Sequence, residues 1–165
     1  MISGDRSSLF AAAKAEKNEA LKREAIRQLG LTGGQDELKQ LYQADSSTEV
    51  RRELLQAFFL SGDSSKLVEV AQNEKDPELR RTAIRNIGLM GSGRDHDALQ
   101  AIYAKETDRS IKEEILNAYF LQGNAKSLIA IAKSEKDPSL KKRCVEKLSI
   151  MGSKEATDYL MELLK

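Results

Sequence analysis

The sequence predicts an all-α fold, an α-solenoid of five stacked helix pairs closed by a sixth first helix. Three observations carry that prediction. Gly33, Gly62, Gly91, Gly123 and Gly152 recur at matching positions. So do Leu9, Leu38, Leu67, Leu99, Leu128 and Leu160, separated by 29, 29, 32, 29 and 32 residues. A longer echo of 61 residues overlies the short one, since Asn73-Glu74-Lys75-Asp76-Pro77 returns as Ser134-Glu135-Lys136-Asp137-Pro138. Self-similarity at such periods marks repeat architectures, in which each unit hides its apolar side only against its neighbour. The extra three residues fall between a repeat glycine and the next leucine, where a surface loop tolerates insertion.

Taken in order, residues 1–7 are short and polar and are expected to stand outside the array, as disordered or expression-derived residues. The single array covers 8–165, in repeats of about 8–33, 34–62, 63–91, 92–123 and 124–152 with a partial 153–165. Each repeat opens with a short helix, for example Leu67 to Asn73 with Val68, Val70 and Ala71. The second helix starts at a capping residue. Asp76 and Asp137 suit that place because a carboxylate oxygen accepts from the free N–H groups of the first turn. Pro77 and Pro138 follow at the first helical position, where the missing N–H is harmless. Asn18 and Ser47 stand there in other repeats, which are expected to begin their second helix less sharply. The recurring glycine then ends the helix as a left-handed C′ residue. The last segment, roughly Ala156 to Leu164, is a first helix without a second. Its apolar side chains lead to two expectations: that the chain is a segment of a larger protein, and that it associates end to end.

At about 100° per residue, each second helix shows one apolar arc. The sets are Leu21, Ala25, Ile26, Leu29; Val50, Leu54, Leu55, Phe58; Leu79, Ala83, Ile84, Ile87; Ile111, Ile115, Leu116, Tyr119; and Leu140, Cys144, Val145, Leu148. Cys144 is therefore read as a small core hydrophobe. Inside each arc sits a basic residue: Lys22, Arg51, Arg80, Lys112 and Lys141. A charge there must be paired or reach a carbonyl, because burying it bare is costly. Sizes alternate at two positions, Gly30, Phe59, Gly88, Phe120, Ser149 and Ala13, Tyr42, Ala71, Tyr103, Ala132, Leu164, as layers do when they interdigitate. The rings are read as packing groups in the interfaces between repeats.

The stretch Asp76-Pro77-Glu78-Leu79-Arg80-Arg81-Thr82-Ala83-Ile84-Arg85-Asn86-Ile87-Gly88 resembles the second helix of HEAT-like repeats, in the short form of the phycobilisome-lyase relatives. The resemblance runs over residues 8–165 and implies a right-handed superhelix whose second helices line the concave side. It also implies that Lys22, Arg51, Arg80, Lys112 and Lys141 are structural, held between repeats by loop aspartates such as Asp76, Asp108 and Asp137. The family contains scaffolds, adaptors, chromophore lyases and a DNA glycosylase branch, so it specifies fold far more than role.

The charge balance, 27 Lys plus Arg against 26 Asp plus Glu, excludes the lopsided field of a dedicated nucleic-acid or anionic-membrane binder. One Cys and one His exclude a disulfide framework and a Cys/His zinc cage within the chain. His96 in Arg94-Asp95-His96-Asp97 has only superficial ligand character, and the sister loop from Ser153 to Tyr159 lacks it. No metal and no cofactor are expected. No apolar run approaches the length of a membrane span, no signal peptide opens the chain, and no compartment is assigned. No phosphate loop, nucleophile–base set or paired His is present, so no catalytic residue is named and the chain is read as non-enzymatic.

On the open arc, the candidate binding residues are Arg23, Arg27, Arg52, Gln56, Arg81, Arg85, Asn86, Asn117 and Lys142. The arc as a whole holds eight basic and seven acidic side chains. It is read as a groove for an acidic or mixed-charge protein or peptide, arginine supplying directional contacts. The runner-up is a purely structural spacer. A glycosylase-like or bilin-lyase-like domain ranks lower, because the open arc has no aromatic side chain and no apolar lining.

Overall fold

The computed structural model describes residues 5–45, 47–91 and 95–165, which form eleven α-helices and no strand. In chain order these are α1 (Arg6–Ala15), α2 (Glu19–Leu31), α3 (Gln35–Ala44), α4 (Thr48–Leu60), α5 (Ser64–Asn73), α6 (Pro77–Met90), α7 (His96–Lys105), α8 (Arg109–Leu121), α9 (Ala125–Ser134), α10 (Pro138–Met151) and α11 (Lys154–Leu163). The first helices, α1 to α11 by odd numbers, each have 10 residues, and the second helices have 13 or 14. The architecture is the all-α solenoid of helix pairs. None of the described helices is long and apolar enough to cross a membrane.

The array starts earlier than its expected edge at Ser8. Asp5 accepts from the Ser7 N–H and α1 begins at Arg6, so three of the seven residues set apart at the N-terminus belong to the first repeat. Residues 1–4 lie outside the described part, as does Arg94.

Local chemistry fixes the helix ends. Asp76 Oδ1 accepts from Glu78 N at 2.9 Å, and Asp137 Oδ1 from Ser139 N at 2.8 Å. Asn18, expected to be a softer start, caps as well, accepting from Ala20 N and Leu21 N at 3.0 and 3.2 Å. A side-chain oxygen at the N-cap suffices; the proline adds only a preset φ. Ser47, with a single long contact to Val50 N at 3.4 Å, is the one weak cap of the two. At the other end the glycine takes φ of +74° at Gly33, and the following residues fold back: Gly33 N donates to Gly30 O and Gly34 N to Leu29 O. That is the Schellman arrangement, and it repeats at Gly62 and Gly123.

The helices form two compact units, one up to Asn86 and one from Ile87 to Lys165. In the first unit α2 packs on α1 and α4, and α3 and α5 flank α4. Its fully buried side chains include Ile26, Leu29, Leu38, Leu54, Leu55, Phe58, Leu67 and Ile84. In the second unit α10 packs on α8, α9 and α11, α7 packs on α8, and the fully buried side chains include Leu99, Ile115, Leu116, Tyr119, Leu128, Cys144 and Leu148. Burying each such side chain contributes about 1.5–3 kcal/mol. Leu21 departs from the expected arc and is 59% exposed, whereas its equivalents Val50, Leu79, Ile111 and Leu140 are buried. Among the described residues, α2 has no earlier second helix beside it.

Of the two size alternations, the one through Ala13, Tyr42, Ala71, Tyr103 and Ala132 is buried throughout, although Leu164 is 83% exposed. The other packs differently from expectation. Gly30 lies against the backbone of Ala57, and Gly88 against that of Ala118; a Cβ on either glycine would stand 2.9 or 2.8 Å from the facing Cα. Glycine meets alanine here, not phenylalanine. The fully buried ring in this region is Phe58, tilted against Tyr42 at 6.1 Å between centroids. Phe59 is turned about 100° around the helix from Phe58 and is only half-buried. Urea unfolding should therefore show Phe58→Ala losing about 3–5 kcal/mol and Phe59→Ala less than half of that. Gly30→Ala and Gly88→Ala should each lose about 1–3 kcal/mol, because helix backbones must move apart to admit a methyl group. Losses under about 0.5 kcal/mol would mean that the helices do not approach this closely.

Candidate binding face on the second helices

Four of the five basic positions inside the apolar arcs, all but Lys141, are met from the adjoining loop or first helix. Lys22 Nζ meets Asp45 Oδ2 at 2.6 Å. Arg51 Nε donates to the Asp45 carbonyl at 2.8 Å, and its Nη1 lies 3.2 Å from Glu74 Oε2. The Tyr42 hydroxyl donates to the same glutamate oxygen at 2.5 Å, and the guanidinium stands 5.0 Å over the Tyr42 ring. Arg80 Nε donates to the Ala71 carbonyl at 2.9 Å. The second unit repeats the cluster 61 residues later. There Tyr103 donates to Glu135 Oε2 at 2.5 Å, and Lys112 lies 3.8 Å from that oxygen and 4.8 Å over the Tyr103 ring. Asp76 and Asp137 cap their helices, and Asp137 also approaches Arg109 at 3.7 Å, while the carboxylates on Lys22, Arg51 and Lys112 are Asp45, Glu74 and Glu135. Lys141 is exposed.

Burial works to raise the Glu74 and Glu135 carboxyl groups. The tyrosine hydrogen bond, the backbone N–H groups of the loop and the nearby cation outweigh it and hold both below the ordinary glutamate value. Burial, then the same hydrogen bond, pushes both phenols far above theirs. A carboxyl depressed in the folded state binds fewer protons than in the unfolded chain. Its stabilisation is thus full above the unfolded value of about 4.3 and lost as pH falls through the depressed folded one. The double variant Glu74→Gln/Glu135→Gln should be less stable at pH 7 yet lose less stability between pH 5 and 2, as read from melting temperature against pH. Parallel acid limbs would show that these glutamates do not carry the effect.

The opposite side of the second helices is open. In the first unit Arg27 pairs with Glu24 at 2.9 Å and Glu53 at 3.2 Å, and Arg52 with Glu49 and Arg81 with Glu78, both at 3.0 Å. Arg85 and Gln56 are exposed. Arg23 is half-buried, with no hydrogen-bond or ion partner among the described residues. Exposed pairs one turn apart contribute about 0.3–0.5 kcal/mol, so an incoming partner can exchange them at little loss. Asn86 does not belong to this face. It is 4% exposed and its Nδ2 donates to the Leu55 carbonyl, locking α6 to α4. In the second unit Lys142 is exposed, Asn117 accepts from Lys147, and Glu114, placed by angle on the open arc, is buried. A depression of ≈230 Å³ lies between α8 and α10, lined by Glu113, Leu116, Asn117, Arg143 and Lys147.

The second helices also carry an exposed apolar row. Leu31, Leu60, Leu89, Leu121 and Ile150 occupy one register position, two residues before each repeat glycine, and are 38–72% exposed. The Schellman closure does not require them, since its apolar contact involves earlier helix residues. The 29-, 29-, 32- and 29-residue spacing was in the sequence, but an arc drawn for the core passes it by.

Reactive groups are scarce. Cys144 is buried and burial pushes its thiol up to about 12, which removes the thiolate at neutral pH. His96 is the first residue of α7 rather than part of a loop; its ring lies edge-on to Tyr119 at 6.1 Å, and its carbonyl accepts from the Tyr119 hydroxyl. Among the described residues no group of three or more His, Cys, Asp or Glu is placed to hold a metal ion.

A model of HEAT repeats matches residues 36–119, which run from α3 into α8 and make up just over half of the chain. No curated protein matches it. HEAT repeats commonly serve as protein-interaction scaffolds and are typically non-catalytic. Helix pairs, capped and closed as described, together with this match, identify the chain as a member of the HEAT repeat family.

Proposed function

We propose that this chain is a non-catalytic scaffold that binds an acidic or mixed-charge protein segment along the open face of its second helices. The observation that carries the reading is the recurrence, in every repeat, of an exposed leucine or isoleucine at one register position. In the first unit, exposed or half-buried arginines lie one or two turns earlier on the same helices, Arg23 and Arg27 on α2, Arg52 on α4, Arg81 and Arg85 on α6. Apolar contact supplies area there, and guanidinium groups already in weak, exposed pairs supply direction. The internal pairing of those same arginines favours the rival reading, a spacer whose faces are merely solvated.

Affinity capture with the whole chain as bait separates the two, using Arg52→Glu/Arg81→Glu/Arg85→Glu as the control. A true partner should be captured by the parent chain and lose at least tenfold in affinity with the triple variant, while the melting temperature stays close. Equal capture by both chains would remove the face from the account.

A further inference from the structure

Basic residues are not spread evenly over the array. Residues 124–152 carry seven basic side chains against three acidic, in a chain where the two totals differ by one. The stretches on either side, within the same unit, are acidic: 92–123 carry four basic against six acidic, and 153–165 two against three. The surplus gathers at the corner where α9 meets α10. Lys133 lies in the last turn of α9, Lys136 in the loop and Lys141 in the first turn of α10, all three exposed. None of them has an ion partner among the described residues; the Lys133 ammonium stands 5.7 Å over the Tyr159 ring. The carboxylates of the corner are already engaged. Glu135 accepts from Tyr103 at 2.5 Å and from the N–H groups of Lys136 and Asp137 at 2.9 Å. Asp137 accepts from Ser139 N and Leu140 N at 2.8 and 3.2 Å. Their charges are matched by Lys112 and Arg109, at 3.8 and 3.7 Å, so the three lysines remain in surplus.

We infer that this corner is the docking point for a short acidic stretch of a partner protein. Like charges gathered on one corner repel through a field that reaches about 8 Å at physiological salt, and carboxylates brought there relieve it. The acidic neighbours limit the ligand. A nucleic acid or an anionic membrane presents a continuous field and is met by cations along its whole track. Here the positive patch ends within one repeat, and a few consecutive carboxylates match its extent. Exposed ammonium groups supply attraction and association rate without a formed pocket. The inference rests on the reading of an acidic partner, but places the acidic part outside the Arg52, Arg81 and Arg85 footprint.

The test uses the whole chain and a fluorescein-labelled peptide of four consecutive glutamates between glycine–serine flanks. A glutamine counterpart, duplex DNA and vesicles of phosphatidylcholine with phosphatidylserine form the other arms. The glutamate peptide should bind saturably and less tightly as salt rises. Lys133→Gln/Lys136→Gln/Lys141→Gln should weaken it at least tenfold while the melting temperature stays close. Lys17→Gln/Lys75→Gln/Lys126→Gln, an equal charge change at exposed lysines elsewhere, should alter it less than twofold. The inference is overturned if the parent chain shows no saturable binding, if the two lysine variants weaken binding equally, or if the glutamine peptide binds as well. It is also overturned if DNA or the vesicles bind at lower concentration than the glutamate peptide. Loss of binding in the Lys133/Lys136/Lys141 variant with none in the Arg52/Arg81/Arg85 variant would support the corner and leave the first-unit face to affinity capture. The reverse would overturn the corner alone.

Discussion

A pair of helices ten and thirteen residues long cannot enclose its own apolar arc, and the rest of this molecule is arranged around that insufficiency. The arc of one second helix is covered by the next, which demands close approach where the helices cross. Gly30 over Ala57 and Gly88 over Ala118 provide it by removing the side chain on one face and shrinking it on the other. Caps then have a second task besides satisfying backbone groups: they fix where each helix stops, so that the glycine and the alanine arrive at the same level. A helix longer by one residue would rotate its arc by about 100° and put the wrong side chain in the crossing.

The same constraint accounts for the charged residues buried among the apolar ones. A loop that joins two packed helices must turn within a few residues, and its carbonyl groups need donors. Arg51 and Arg80 reach carbonyls at Asp45 and Ala71, the guanidinium serving as a clamp on the turn. The tyrosine–glutamate pair beneath Arg51 recurs beneath Lys112, one in each unit, so each unit carries its own clamp. Buried ion pairs are weak evidence of net stability, but their geometry defines which loop lies against which helix.

Periodicity and end chemistry were legible because they are local. The glycine positions, the Asp-Pro starts and the core sets from Val50 onward, the half-buried Val145 excepted, could be read from one helix at a time. What resisted was anything decided by a neighbour. Asn86 and Glu114 lie on the polar side by angle, yet both are buried. Phe59 looks like the bulky partner of Gly30 until the crossing places Ala57 there. The partners Glu74 and Glu135 stand in the 61-residue echo, but choosing them over Asp76 and Asp137 needs the loop path. The exposed row from Leu31 to Ile150 was visible as spacing; only exposure separates it from core.

Hydrogen–deuterium exchange of Phe58→Ala against the parent chain tests the stacking principle most directly. If each helix pair is held by its neighbours, protection should fall most in α3 and α4, less in α2 and α5, and not at all in α9 to α11. A uniform loss of protection from α1 to α11 would instead describe one indivisible core, and would contradict the account.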